Sequence, residues 1–170
     1  SFLLGLIMAF EGAYQFSAFG ATSYVANLVG TAVSREFGPL MAAIVLSGRS
    51  GAAIAAELGT MKVSEEIDAL RVMGLEPTRY LVLPRVLALL IAGPAWTLMA
   101  ILLGLLGGML IAVSYLDITP SAYWARTQMA VGDGDMIQGL AKSFVFALIV
   151  GMLGCYQGLY IRGGAASVGL

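Results

Sequence analysis

The sequence predicts an all-α polytopic membrane protein, on three observations. Hydrophobic residues make up 59% of the 170-residue chain and charged residues only 11%, under half the roughly 25% of a soluble domain. Mean hydropathy is +0.91. The charges are clumped, with none from Val86 to Leu116 and none from Ser143 to Ile161. At about 1.5 Å rise per residue, either run can cross a hydrocarbon core roughly 30 Å thick.

Four spanning segments are expected. The first covers about 1–18, opening on Phe2, Leu3, Leu4, Leu6, Ile7 and Met8. With no charged n-region or cleavage site, it reads as the remainder of a spanning helix and not as a signal peptide; both ends of the chain read as cut. The second covers about 37–59, the third 84–115 and the fourth 143–161. A semi-polar link, 19–36, joins the first two. The most charged stretch, 62–85, joins the second and third. The link 116–142 holds Pro120, the turn-like Gly132-Asp133-Gly134-Asp135, and Tyr123 and Trp124, whose amphipathic rings suit headgroup depth. Lys62, Arg71, Arg79 and Arg85 outnumber the basic residues of the other links, so positive charge places the 62–85 loop in the cytoplasm, with Arg162 on the same side.

Small residues mark packing faces. Ser47, Gly51, Ala55 and Gly59 recur every four residues, and Gly104/Gly108 and Gly154/Gly158 are further small-xxx-small pairs. Such positions let membrane helices approach closely, in a bundle or a dimer.

Ionisable groups inside a membrane are costly and are functional candidates by default. Glu11 lies in the first segment, Arg35 and Glu36 at the start of the second, and Arg49 within it. Arg35 and Glu36 are neighbours about 100° apart on a helix, so each should face a polar cavity or a partner elsewhere, unless the pair merely marks the membrane boundary. Arg49 suits a structural ion pair or bonds to free carbonyls as well as a gating role beside Gly51. Glu11 could pair with an arginine or line a path.

The cytoplasmic loop encodes a short amphipathic helix over about 65–73. Ser64 is a candidate N-cap, Glu65, Glu66 and Asp68 favour the first turn, and Ile67, Leu70 and Met73 share a face. Gly74 suits the C′ position, and Pro77 stops the helix. Such a helix can lie on headgroups or dock in the groove of a cytoplasmic partner; its acidic start favours protein.

Several chemistries are excluded or poorly supported. The chain has no histidine, which removes His-based acid/base catalysis and most zinc sites. Gly48-Arg49-Ser50-Gly51 matches the GxSG pattern of rhomboid-type proteases, but the activating histidine is missing. Asp133 and Asp135 make a weak calcium site. Cys155 has no disulfide partner in the chain and reads as packing filler. The net charge of −1 gives no reason to expect nucleic acid. No catalytic or metal residue is expected.

The runs Arg35-Glu36-Phe37-Gly38-Pro39-Leu40, Ser47-Gly48-Arg49-Ser50-Gly51-Ala52 and Ala56-Glu57-Leu58-Gly59-Thr60-Met61-Lys62-Val63 continue into Glu66-Ile67-Asp68-Ala69-Leu70, Met73-Gly74, Pro77, Arg79-Tyr80-Leu81 and Leu83-Pro84-Arg85. This ordered series strongly resembles the MlaE/YrbE permease family, the membrane subunits of MCE-associated lipid ABC transporters. The match is dense from about Gly12 to Ala88 and continuous to Leu170. The resemblance implies an ABC-exporter-like permease domain over 1–170, truncated at both ends, with four of five spans and a homodimeric partner copy. It implies that 65–73 is the coupling helix, with Glu65, Glu66, Asp68, Leu70, Met73 and Gly74 facing an MlaF-type ATPase. That ATPase would hold ATP and magnesium and bind a STAS-domain (MlaB-type) protein, so no cofactor and no enzyme activity belong to this chain. An MCE-domain (MlaD-type) ring would sit on the periplasmic face of a multi-pass bacterial inner-membrane protein. Phospholipid would occupy a cavity near Arg35 and Glu36, with Glu11 a departure where glutamine is frequent. The expected function is phospholipid transfer between the inner membrane and the MCE path, maintaining lipid asymmetry. The alternatives are a permease for sterol or another hydrophobic lipid, and a non-conducting scaffold for the ATPase and MCE protein.

Overall fold

The computed structural model describes residues 1–160, so Arg162 and the last residue of the expected fourth span lie outside the described residues. Among the described residues the regular elements are helical: α1 (Phe2–Ser17), α2 (Tyr24–Val63), α3 (Glu66–Val72), α4 (Thr78–Leu116), α5 (Pro120–Ala130) and α6 (Asp133–Tyr160). Helices α2, α4 and α6 are long and apolar enough to cross a membrane. Helix α1, with 16 residues, rises about 24 Å and falls short of a roughly 30 Å core. The all-α polytopic membrane class is what the sequence predicts.

The three long helices begin earlier than expected, each for a local reason. Helix α2 starts at Tyr24, not Phe37, because Val25, Ala26, Val29 and Val33 fall at three- and four-residue spacing and are all buried. The polar Thr31 is absorbed by donating its Oγ1 to the Asn27 carbonyl at 2.9 Å. Helix α4 starts at Thr78, with Pro77 before it. Helix α6 starts at Asp133, not Ser143: the Asp135 carboxylate accepts from the Gly132 amide at 3.2 Å, closing half of a capping box. Asp133 and Asp135 also suit the positive end of the helix dipole. The Gly132–Asp135 run is therefore a helix start.

Two of the long helices contain wide π-helical turns, at Val33–Phe37 and Ser47–Gly51 of α2 and at Thr78–Val82 of α4. The amides of Gly38, Ala52 and Leu83 each reach back five residues, to the carbonyls of Val33, Ser47 and Thr78. Pro39 and Pro84 follow two of these turns, and a proline withholds the amide that the carbonyl four residues earlier would use. The middle turn has no proline and is instead rich in glycine and serine. Each turn carries one arginine: Arg35, Arg49 and Arg79.

The chain divides into two compact units, Ser1–Ala42 with Pro94–Ser143, and Ala43–Gly93 with Phe144–Leu170. In the first unit, Ala9, Ala13, Val25, Val29, Val33, Ile101 and Leu105 form one core cluster. Gly5 of α1 packs directly on the backbone of Gly104, and Gly107 on that of Phe2. Tyr123 is fully buried (0% exposed) with Ala26 and Ala112, so its ring packs inside the protein. Gly108 makes room for it: a Cβ there would lie 2.7 Å from the phenol oxygen. The phenol donates to the Leu105 carbonyl at 3.3 Å, and burial pushes its pKa up to about 12. Trp124, next along α5, remains exposed. Thr119 caps α5, accepting from the Ala122 amide at 3.4 Å, with Pro120 in the first helical position.

In the second unit, Leu58, Val86 and Cys155 form the core, flanked by Ile54, Met61, Leu81, Val82, Leu90 and Leu159. The small-residue faces meet within the chain. A Cβ on Gly154 would lie 2.9 Å from the Gly51 carbonyl oxygen, and one on Gly158 would lie 2.8 Å from that of Ala55. Cys155 is buried among these helices and free, as expected of packing filler.

Candidate functional site

The first unit assembles a four-charge cluster from two helices. Val33–Phe37 turns Arg35 and Glu36 outward, and the early start of α6 places Asp135 and Lys142 on helix beside them. Lys142 Nζ lies 2.6 Å from Glu36 Oε1. Arg35 Nη1 lies 3.7 Å from Asp135 Oδ1, and Arg35 Nε 3.8 Å from Glu36 Oε1. The sequence reading kept Arg35 and Glu36 about 100° apart; in the wide turn their side chains approach each other while each also finds a partner on α6. Helix α2 already begins at Tyr24, before both residues.

Proline and glycine set this geometry. Pro39 has no amide for the Arg35 carbonyl four residues earlier, and Lys142 Nζ donates to that carbonyl at 3.3 Å. Gly139, one turn before Lys142, lets α6 lie directly against the Ser34 carbonyl, where a Cβ would collide with the oxygen. The cluster holds two cations and two anions, so its formal charge is zero. Arg35 and Glu36 are about half exposed, while Asp135 and Lys142 are more enclosed. In water such exposed pairs contribute little; away from water they are far stronger. The arrangement offers guanidinium and ammonium donors for a phosphate, and carboxylates for an ammonium.

Of the other candidates, Glu11 is exposed on α1 and its carboxylate joins no ion pair among the described residues. Arg49 is also exposed and has no charged partner among the described residues, so the ion pair allowed for it does not form there. Gly51 is buried against Val150, where a Cβ would lie 3.1 Å from the valine Cγ1. The sequence reading missed a second pair: Arg85 Nη2 meets Glu57 Oε1 at 2.7 Å, while Arg85 Nη1 donates to the Leu81 carbonyl at 2.8 Å. It also missed Asp135 and Lys142 as partners of the cluster. Their signal was opposite charge at the edge of an apolar run.

The loop helix is α3, Glu66–Val72, slightly shorter than the expected 65–73. Ser64 is not its cap. The serine hydroxyl donates back to the Thr60 carbonyl at 2.8 Å, and Glu65 turns the chain in a left-handed conformation, φ +60°. The C-terminal stop is as expected. Gly74, at φ +76°, donates its amide to the Arg71 carbonyl, and Leu75 donates to Leu70, forming a Schellman motif. Asp68 and Arg71 pair at 3.1 Å on the surface. The apolar face is split: Ile67 is buried and Leu70 partly so, whereas Met73 (65%) and Val72 (89%) are exposed. The free apolar surface is thus Val72–Met73, not Leu70. Beneath the helix, a cavity of about 230 Å³ is lined by Lys62, Ile67, Asp68, Arg71, Pro77, Thr78 and Leu159. Lys62 Nζ donates to the Leu159 carbonyl.

Comparison with known proteins agrees along the whole chain. The family model described as Permease MlaE matches residues 1–170. A probable ABC transporter permease protein of Rickettsia felis is 40% identical over 99% of this chain and 65% of its own length. The chloroplastic protein trigalactosyldiacylglycerol 1 of Arabidopsis thaliana is 35% identical over 99% of this chain and 48% of its own. The Haemophilus influenzae intermembrane phospholipid transport system permease protein MlaE is 30% identical over 91% of this chain and 60% of its own. The chain thus spans 48–65% of the length of these relatives. Over its whole length, this chain belongs to the MlaE permease family.

Proposed function

We propose that this chain belongs to the permease subunit of an ABC transporter that moves phospholipid between the inner membrane and a periplasmic MCE-protein path. The observation that carries the reading is the neutral four-charge cluster of Arg35, Glu36, Asp135 and Lys142, held on otherwise apolar helices. Ionisable groups are retained in such surroundings when they serve a polar cargo, and a zwitterionic headgroup complements both signs. The name of the Haemophilus relative supports the phospholipid assignment.

Energy would come from a separate MlaF-type ATPase holding ATP and magnesium, bound in turn by a STAS-domain protein. Helix α3 would dock on that ATPase through Val72 and Met73, flanked by Glu65, Glu66 and Asp68, with a second permease copy completing the cavity. Closure of the ATPase dimer would move α3 and hence α2 and α4, which flank it in the chain. Exchanging Val72 or Met73 for Asp should release the ATPase on co-purification without unfolding the permease; stoichiometric retention would remove α3 from the docking surface. Bound lipid measured with and without nucleotide separates a conducting permease from a scaffold: a nucleotide-dependent change supports transport, and constant lipid supports the scaffold.

A further inference from the structure

Helices α2 and α4, on either side of the loop helix α3 in the chain, are joined near the loop by one guanidinium. Arg85 Nη2 lies 2.7 Å from Glu57 Oε1, and Arg85 Nη1 donates to the Leu81 carbonyl at 2.8 Å. The Arg85 side chain is 18% exposed and that of Glu57 61%, so the enclosed cation is the fixed member of the pair. Val63 ends α2 about 9 Å of helix beyond Glu57, and Thr78 opens α4 about 10 Å before Arg85. The tie therefore spans the two helices close to where α3 leaves and rejoins them.

The start of α4 needs such a hold. Thr78–Val82 is a wide turn, and Pro84 withholds the amide that the Tyr80 carbonyl would otherwise receive. Helices bend most readily at prolines and wide turns. Arg85 Nη1 fastens to the Leu81 carbonyl inside that turn while Nη2 reaches α2, a double task for which a planar fork is suited and a lysine ammonium is not. Leu58, next to Glu57, is fully buried in one cluster with Val86, next to Arg85. The polar tie thus lies beside a packed contact of the same two helices.

We propose that Glu57 and Arg85 are positioning residues that make the loop ends of α2 and α4 follow α3 as one body. The proposal rests on the reading of this chain as a permease driven through α3. Without the tie, displacement of α3 is taken up by bending at the Thr78–Val82 turn, and α2 stays behind. With it, both helices move, and both continue along the chain into the first unit, which holds the charge cluster. A purely stabilising role has a different consequence. A pair whose carboxylate is this exposed contributes little to folding, so its loss would leave ATP hydrolysis and lipid transfer equally unaffected.

The test uses the full-length permease with its ATPase and MCE partners in proteoliposomes. Glu57→Ala should leave stoichiometry and ATP hydrolysis at the wild-type level while lipid moved per ATP falls about tenfold, the effect of one charge-assisted hydrogen bond. Glu57→Gln, which keeps a neutral acceptor for Arg85, should retain most of the coupling. Arg85→Lys, which keeps the charge and loses the fork, should behave as Glu57→Ala does. Hydrogen exchange reads the tie without reference to lipid. Trapping the ATPase with ADP and vanadate should change exchange over residues 58–63 and 78–83 together in the wild type, and over 78–83 alone in Glu57→Ala. Equal lipid per ATP in wild type and Glu57→Ala, or a joint exchange change in that variant, would overturn the proposal. So would a wild type in which the two segments do not change together. A wild type that shows the joint change and hydrolyses ATP without moving lipid would contradict the transport function and leave the tie standing.

Discussion

Gly139→Ala is a one-methyl change that should loosen the charge cluster without touching any charge. The added Cβ would meet the Ser34 carbonyl oxygen closer than real Cβ contacts allow, and Pro39 Cγ lies 3.5 Å away. The obstacle is backbone, so no side chain can swing aside; the helices must separate by on the order of 1 Å in a close-packed interior. Lys142 is three residues further on, on the same helix face. Its 2.6 Å bond to Glu36 would then stretch past the roughly 3.5 Å at which a direct hydrogen bond is lost. Overpacking of this kind costs about 1–3 kcal/mol, partly offset by the roughly 1 kcal/mol that alanine gains over glycine in a helix. Gly48→Ala is the matched control, because a Cβ there meets nothing within 4 Å and should stabilise by about 0.5–1 kcal/mol. Unfolding midpoints of the two variants in mixed detergent should therefore move in opposite directions, or differ by about 1–3 kcal/mol. A Gly139→Ala protein as stable as Gly48→Ala would refute the close approach of α6 to Ser34.

Other consequences follow from single sites. Tyr123→Phe removes the bond to the Leu105 carbonyl and should cost about 1 kcal/mol in the same assay. Because burial raises the Tyr123 pKa from 10.0 to about 12, the folded state holds the phenolic proton longer than the unfolded one. Stability from this group is complete below pH 10 and is lost as pH rises towards 12, a loss of roughly 2–3 kcal/mol; alkaline melting of wild type against Tyr123→Phe measures it. Glu65→Gly relieves a left-handed residue (φ +60°) and should stabilise by up to about 1 kcal/mol, whereas Gly74→Ala, at φ +76°, should destabilise by a similar amount. Helicity and melting of the pair check both signs.

The membrane class was legible because composition and charge clustering follow directly from the solvent. The packing faces were legible too: Gly51, Gly154 and Gly158 all make the close approaches that their spacing implies. Helix starts were less so. The polar residues Asn27 and Thr31 disguise the early turns of α2, and Gly-Asp repeats resemble a loop until Asp135 is seen capping α6. Arg35 and Glu36 were found from their position in an apolar stretch, but their partners were not, because Asp135 and Lys142 come about 100 residues later. Only the packing of Gly139 on Ser34 brings them near. In the loop helix, Gly74 carried its own conformational signal, while Ser64 could cap the following helix or bond back to the preceding one. Periodicity could not decide between them.

The central claim is that the Arg35–Glu36–Asp135–Lys142 cluster handles phospholipid headgroups in ATP-driven transfer. The direct measurement is ATP-dependent movement of labelled phospholipid from proteoliposomes containing the full-length permease with its ATPase and MCE partners. Arg35→Ala with Glu36→Ala should impair transfer while the complex still assembles with its ATPase at normal stoichiometry. Transfer at the wild-type rate by that double variant would contradict the account.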